Sequence, residues 1–217
     1  MEQSKKNSKH IFFTRNRINL DIHHKCTLEC NKCARQIMLK HPSITKAKFP
    51  GCPITDSDWK KIADHFERIN FCGQISDPIM HPRLSVFLND MYKKNKYGNV
   101  HTAVSQKPIK SFIKCFEANP NMKWIFGIDG LPKDSHKYRI NQDGEKLFNI
   151  MLEATKYVKV EWQYIVFNYN QKDIETAKKI ALDNNIIFTK MLSGRFAKDD
   201  PLKPSKGYYV ERNDYQY

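Results

Sequence analysis

A chain of 217 residues with 40% hydrophobic and 12% aromatic content carries enough apolar surface for one sizeable core, so a single globular domain, with or without a tail, is expected. Its formal net charge of +14 favours anionic partners, namely nucleic acid, an acidic peptide or a phosphorylated substrate, unless the lysines form a diffuse solvated face. No signal peptide or long apolar run is present, which sets aside a membrane partner and a secreted disulfide scaffold and leads to the expectation of a cytoplasmic protein.

Residues 1–16, with Lys5, Lys6 and Lys9, show no periodicity and read as a basic N-terminal tail. Arg17 to Ile22 alternates apolar and polar side chains and reads as a first strand. Ala34 to Leu39 fits a short helix, and Pro42 to Pro53 a turn-rich connection in which Cys52 is an ordinary thiol. Thr55-Asp-Ser-Asp58 has the form of a capping box, and Trp59, Ile62, Ala63, Phe66 and Ile69 follow at helical spacing. Ile69 to Ile75 then reads as a buried strand ending in a loop, followed by a helix over Pro82 to Lys94. The same alternation continues through strands at Val100 to Val104, Met122 to Ile128, Val158 to Phe167 and Ile186 to Met191, with apolar helical stripes between them. Six strands alternating with helices predict an α/β fold with a parallel sheet, and periodicity alone leaves open whether that sheet is doubly wound or a partly closed barrel.

The chemistry concentrates in Cys26-Thr-Leu-Glu-Cys30-Asn-Lys-Cys33, directly after the first strand. Three thiols at C-x3-C-x2-C spacing suit three corners of a cubane iron–sulfur cluster, with the fourth iron left without a protein thiolate. A zinc site is the rival reading, because Cys30 and Cys33 form a half-knuckle with His23 and His24 close in sequence. A zinc ribbon would bring a second C-x2-C pair, whereas Cys52, Cys72 and Cys115 are isolated. The cysteine spacing resembles the signature of the radical S-adenosylmethionine (SAM) enzymes. That resemblance implies a (β/α)6 partial TIM barrel over residues 17–196 and a [4Fe-4S] cluster on Cys26, Cys30 and Cys33. It further implies SAM chelating the open iron, and reductive cleavage to a 5'-deoxyadenosyl radical that abstracts hydrogen from a substrate.

Companion segments at the strand ends extend the likeness. Gly73-Gln-Ile-Ser-Asp-Pro78 resembles the Gly-Asn-x-Gly-Asp-Pro form of the SAM-amino loop, which implies that Gly73, Gln74, Ser76 and Asp77 bind the cofactor, with Ser76 standing in the place of a glycine. Ser-Asp-Pro is equally a common turn. Gly127-Ile-Asp-Gly130 with the later Arg139 looks like the Ser-Ile-Asp-Gly and arginine of the peptide-modifying (SPASM/twitch-type) branch, where the arginine meets the SAM carboxylate; here Gly127 replaces the serine. The resemblance also nominates Ser105 after the third strand and Lys32 where relatives place an adenine-contacting aromatic; strand alternation puts polar Gln163 on the inner face of the fifth strand, as a ligand contact or a satisfied core amide, and Asn168 and Arg195 are candidates at the ends of the fifth and sixth strands. Residues 197–217 read as a C-terminal extension, and since they hold no cysteine they are expected to carry no auxiliary cluster. The implied partners are a one-electron donor of flavodoxin or ferredoxin type and an unidentified substrate. A peptide or protein comes first and an RNA nucleoside second, with a non-catalytic zinc and nucleic-acid-binding module as the alternative from outside enzymology.

Overall fold

A computed structural model describes residues 16–40 and 53–210. The expectations for residues 1–15 and for Cys52 lie outside the described residues. Six strands, β1 (Arg17–Leu20), β2 (Arg68–Phe71), β3 (Asn99–Thr102), β4 (Lys123–Gly127), β5 (Lys159–Ile165) and β6 (Ile187–Met191), form one sheet. Every pairing is parallel and the strands lie in sequence order. That order decides between the two architectures left open by periodicity. Right-handed crossovers that always step the same way put every helix on one face, whereas a doubly wound sheet reverses its order and carries helices on both.

The connecting helices are α1 (Ala34–Leu39), α2 (Asp56–His65), α3 (Leu84–Lys93), α4 (Ile109–Ala118), α5 (Gly144–Ala154) and α6 (Ile174–Asp183), with 3-10 turns at Pro78–Met80 and Pro132–Lys137. Capping chemistry sets several starts. Thr55 accepts from Asp58 N at 3.1 Å and donates to its carboxylate at 2.6 Å, opening α2, and Asp143 accepts from Lys146 N to open α5. Ile69 of the expected α2 stripe belongs instead to β2, since α2 ends at His65. None of the helices among the described residues is long and apolar enough to cross a membrane.

The period of two along each strand separates two faces. Ile69, Phe71, Val100, Trp124, Phe126, Trp162 and Tyr164 are all fully buried and form the core with the helices, among them Phe87, Phe112, Phe116, Leu147 and Ile150. The alternate positions are mostly polar, among them Asn19, Asn70, Asn99, His101, Lys123, Glu161 and Gln163, with Ile125 and Ile165 among the apolar exceptions. Asn70 donates to Asn19 at 2.9 Å and accepts from Asn99 N at 3.1 Å, and Lys123 pairs with Glu161. The hydrophobic core is therefore one-sided, and the concave face is lined with hydrogen-bonding groups.

The segment after β6 folds back over the barrel rim. Leu202 and Phe196 pack against the core, Leu202 O accepts from Asn168 N at 3.1 Å, and Ser205 N donates to Gln171 at 2.8 Å.

Candidate active site

At the carboxyl ends of the strands, where ligands gather in such sheets, β1 delivers the chain into the cysteine loop. Neighbouring loops fasten it: Glu29 N donates to Ile140 O at 3.1 Å, Thr27 to Gln106 at 2.8 Å, and Gln36 to Leu28 O at 3.2 Å. Cys33 N closes a turn on Cys30 O at 3.0 Å. The result turns Cys26, Cys30 and Cys33 into one cavity. All cysteines among the described residues are free thiols, and Cys115 is buried with the aromatic core around α4.

Burial, and then the nearby Asp77, push the Cys26 thiol up to about 12. Burial likewise raises Cys30, with Arg139 opposing it. Thiols held neutral in this way become good ligands once a cationic centre replaces their protons. Among the described residues no three His, Cys, Asp or Glu side chains converge closely enough to hold a single metal ion. The three thiols do share one cavity, and a cubane, whose irons each take a separate thiolate, asks for no closer approach than that. The two histidines of the zinc reading stand apart from this cavity. His23 Nδ1 already accepts from His24 N at 2.8 Å and Lys25 N at 3.2 Å.

Opposite the cysteines lies the loop after β2, which is shorter than the expected strand because residues 74–76 turn away from the sheet. Gly73 has φ +58, and a Cβ there would lie 3.0 Å from Ser76 O, so a side chain would strain the turn. Asp77 is 4% exposed, and its carboxylate accepts from Thr102 Oγ1 (2.9 Å), Ala103 N (2.8 Å), Val104 N (3.1 Å) and Ile79 N (3.2 Å). Its own N–H donates to Lys25 O at 3.1 Å. Asp77 therefore ties the β2 loop to the end of β3 and to the cysteine loop, with its acceptor capacity largely occupied. The Ser76 hydroxyl is also committed, donating to Asp21 at 2.8 Å.

The far wall comes from β4 and β5. Arg139 Nε lies 2.7 Å from Asp129 Oδ2, with Asp129 fully buried and Arg139 largely so. The N–H is not aimed at the oxygen, so this is a charge contact rather than a hydrogen bond. Asp129 Oδ1 accepts from Ile165 N at 2.7 Å, which fixes the carboxylate. The guanidinium lies against Gly127: a Cβ on that glycine would be 2.6 Å from Arg139 Nη2. The arginine thus occupies the space that a serine side chain would take. Gln163, paired in register with Gly127, and His101, paired with Ile125, face the same cavity.

Of the residues nominated from sequence, the cavity brings together Cys26, Cys30, Cys33, Gly73, Gln74, Ser76, Asp77, Arg139 and Gln163. Lys32, Ser105, Asn168 and Arg195 do not line it. Lys32 is ion-paired with Asp200, and Arg195 donates to Lys32 O at 3.3 Å. The Ser105 hydroxyl accepts from Asp143 N at 2.9 Å, and Asn168 is tied to Pro201 and Leu202. The sequence reading missed Asp21, Cys72 and His101. For His101, the parity of its strand position, shared with the concave-facing Gln163, was the available signal.

No family model and no curated protein matches the sequence. Solved structures do match. SuiB of Streptococcus suis bound to S-adenosylmethionine superposes with a TM-score of 0.67 at 12% identity, over 89% of this chain and 44% of that one. TYW1 with a lysine-pyruvate adduct bound gives 0.62 at 12% identity, over 86% and 68%. The anSMEcpe enzyme with bound AdoMet and Cp18Cys peptide gives 0.58 at 14%, over 81% and 50%. At these identities the likeness establishes the architecture: the chain has the partial-barrel α/β fold of radical SAM enzymes. It spans less than half the length of SuiB.

Proposed function

We propose that this protein is a radical SAM enzyme that holds one [4Fe-4S] cluster on Cys26, Cys30 and Cys33 and acts on a peptide or protein. The carrying observation is the convergence of the C-x3-C-x2-C thiols on the same cavity as the Gly73 turn and Arg139. With SAM bound, such a cluster supplies one-electron cleavage of the sulfonium to a 5'-deoxyadenosyl radical. The chain's own residues position the reactants. Arg139 lines the cavity with its guanidinium anchored beside Asp129, and a guanidinium so placed suits the cofactor carboxylate. Gly73 lets the backbone approach closely, and Gln163 and His101 present neutral hydrogen-bonding groups toward the substrate side. A one-electron donor of flavodoxin or ferredoxin type would supply the reductant.

A peptide is favoured over RNA on two grounds. SuiB has been solved with its precursor peptide SuiA, and anSMEcpe with a peptide. Arg139, one of the cations of the cavity, is also matched by Asp129 rather than left as an unbalanced charge for a phosphate backbone. Anaerobic reconstitution followed by measurement of 5'-deoxyadenosine with dithionite tests the reading. Turnover above a Cys30→Ala control supports it, and none sinks it; strongly salt-sensitive RNA retention would move the substrate to nucleic acid.

A further inference from the structure

We propose that Asp21, immediately after β1, is the positioning residue that shapes the cofactor loop at residues 73–76. This deepens the radical SAM reading and rests on it. The Asp21 carboxylate collects five donors from the neighbouring loop. Oδ1 accepts from Ile75 N (3.2 Å), Ser76 N (3.2 Å) and Ser76 Oγ (2.8 Å), and Oδ2 accepts from Gln74 N (3.3 Å) and the Cys72 thiol (3.6 Å). Three consecutive backbone N–H groups following the left-handed Gly73 form an anion-binding concavity, and it is filled from within the chain.

Two consequences follow. Without the carboxylate, the N–H groups of residues 74–76 lose their shared acceptor, and the loop samples conformations that do not match the cofactor; apparent affinity then falls by the fraction of chains still in the competent form. Because the concavity is occupied, it is not available to the cofactor carboxylate, which leaves that group to Arg139 across the cavity. Asp21 reaches the reaction only through the loop and is not a catalytic residue.

The experiment compares anaerobically reconstituted wild type with Asp21→Ala and Asp21→Asn. SAM affinity is read by equilibrium dialysis, iron content and the EPR spectrum of the reduced cluster before SAM is added report the cysteine site, and hydrogen exchange over residues 72–77 reports the loop in protein without added SAM. The expected result is unchanged iron and starting EPR signal, at least a ten-fold rise in SAM Kd for Asp21→Ala, a smaller rise for Asp21→Asn, and faster exchange confined to the loop. Wild-type affinity with wild-type exchange in Asp21→Ala overturns the proposal, as does equal loss of iron and SAM binding, which would make Asp21 a support of the whole site. If Asp21→Ala does not fold, the graded Asp21→Asn variant decides the same question. If wild type itself binds no SAM, the enzymatic reading fails, while loop exchange still judges whether Asp21 shapes residues 73–76.

Discussion

Replacing Gly127 by serine, the residue that the resemblance sets at this place, should weaken SAM binding here. A Cβ at position 127 would stand 2.6 Å from Arg139 Nη2 and 2.8 Å from Cζ. Ordinary contact needs about 3.5 Å, so the guanidinium must retreat by roughly 1 Å. It starts 2.7 Å from Asp129 in a buried setting. With an effective dielectric near 20, lengthening that contact by 1 Å costs about 1.5 kcal/mol. For a chain of this size that corresponds to a fall in Tm of roughly 3–6 °C. The displaced Nη groups also lose their alignment, and hydrogen bonds to charged partners are worth about 1.5–3 kcal/mol, so SAM Kd should rise about ten-fold or more. Equilibrium dialysis on reconstituted Gly127→Ala and Gly127→Ser proteins, alongside thermal melts, measures both effects. Unchanged Kd in both variants would refute the argument that the arginine fills the missing side chain's place.

Two further outcomes follow from the environments of individual groups. Cys72 lines the cavity beside Cys26, Cys30 and Cys33, but its thiol is engaged by Asp21 Oδ2 at 3.6 Å and it lies outside the C-x3-C-x2-C loop, so Cys72→Ser should leave iron and sulfide content at the wild-type ratio; loss of iron would make it a ligand. Burial, and then His81, lower His23 from 6.5 to about 4, so the folded chain keeps this imidazole neutral where the unfolded chain binds a proton. Stability from this group is complete above about pH 6.5 and drains away by up to about 3 kcal/mol as pH falls toward 4. Urea titrations between pH 7 and 4.5 should show that slope in wild type and a flatter one in His23→Asn, whose amide oxygen can accept the bonds from His24 N and Lys25 N; parallel slopes would show that His23 is not the titrating group.

The alternation of strands and helices was readable because each outward face is strongly apolar, from Ile69 and Phe71 through Trp162 and Tyr164. Strand order was not readable, since periodicity says nothing about which strands pair. Within the site, the compact spacing of Cys26, Cys30 and Cys33 announced itself, and Gly73 and Arg139 followed from their motifs. Asp21 was hidden: as one polar residue in an alternating run it looked like any other, and its importance appears only when the β2 loop folds onto it. Lys32 is nominated by its place before the third cysteine, and Asn168 and Arg195 by strand-end position, but their partners are decided by the return of residues 195–202, a long-range contact that local pattern does not encode.

The one-sided core also separates two duties within a single sheet. Folding is secured on the convex face, where helices and aromatics meet, while the concave face is mostly amides and charges, interrupted by Ile125 and Ile165. An incoming reactant therefore displaces solvent instead of prying apart packed side chains. Exchanging residues such as Asn70, His101 or Gln163 becomes a change of clientele with little threat to the framework, which is how one shell of this kind can be retuned toward new chemistry without being rebuilt.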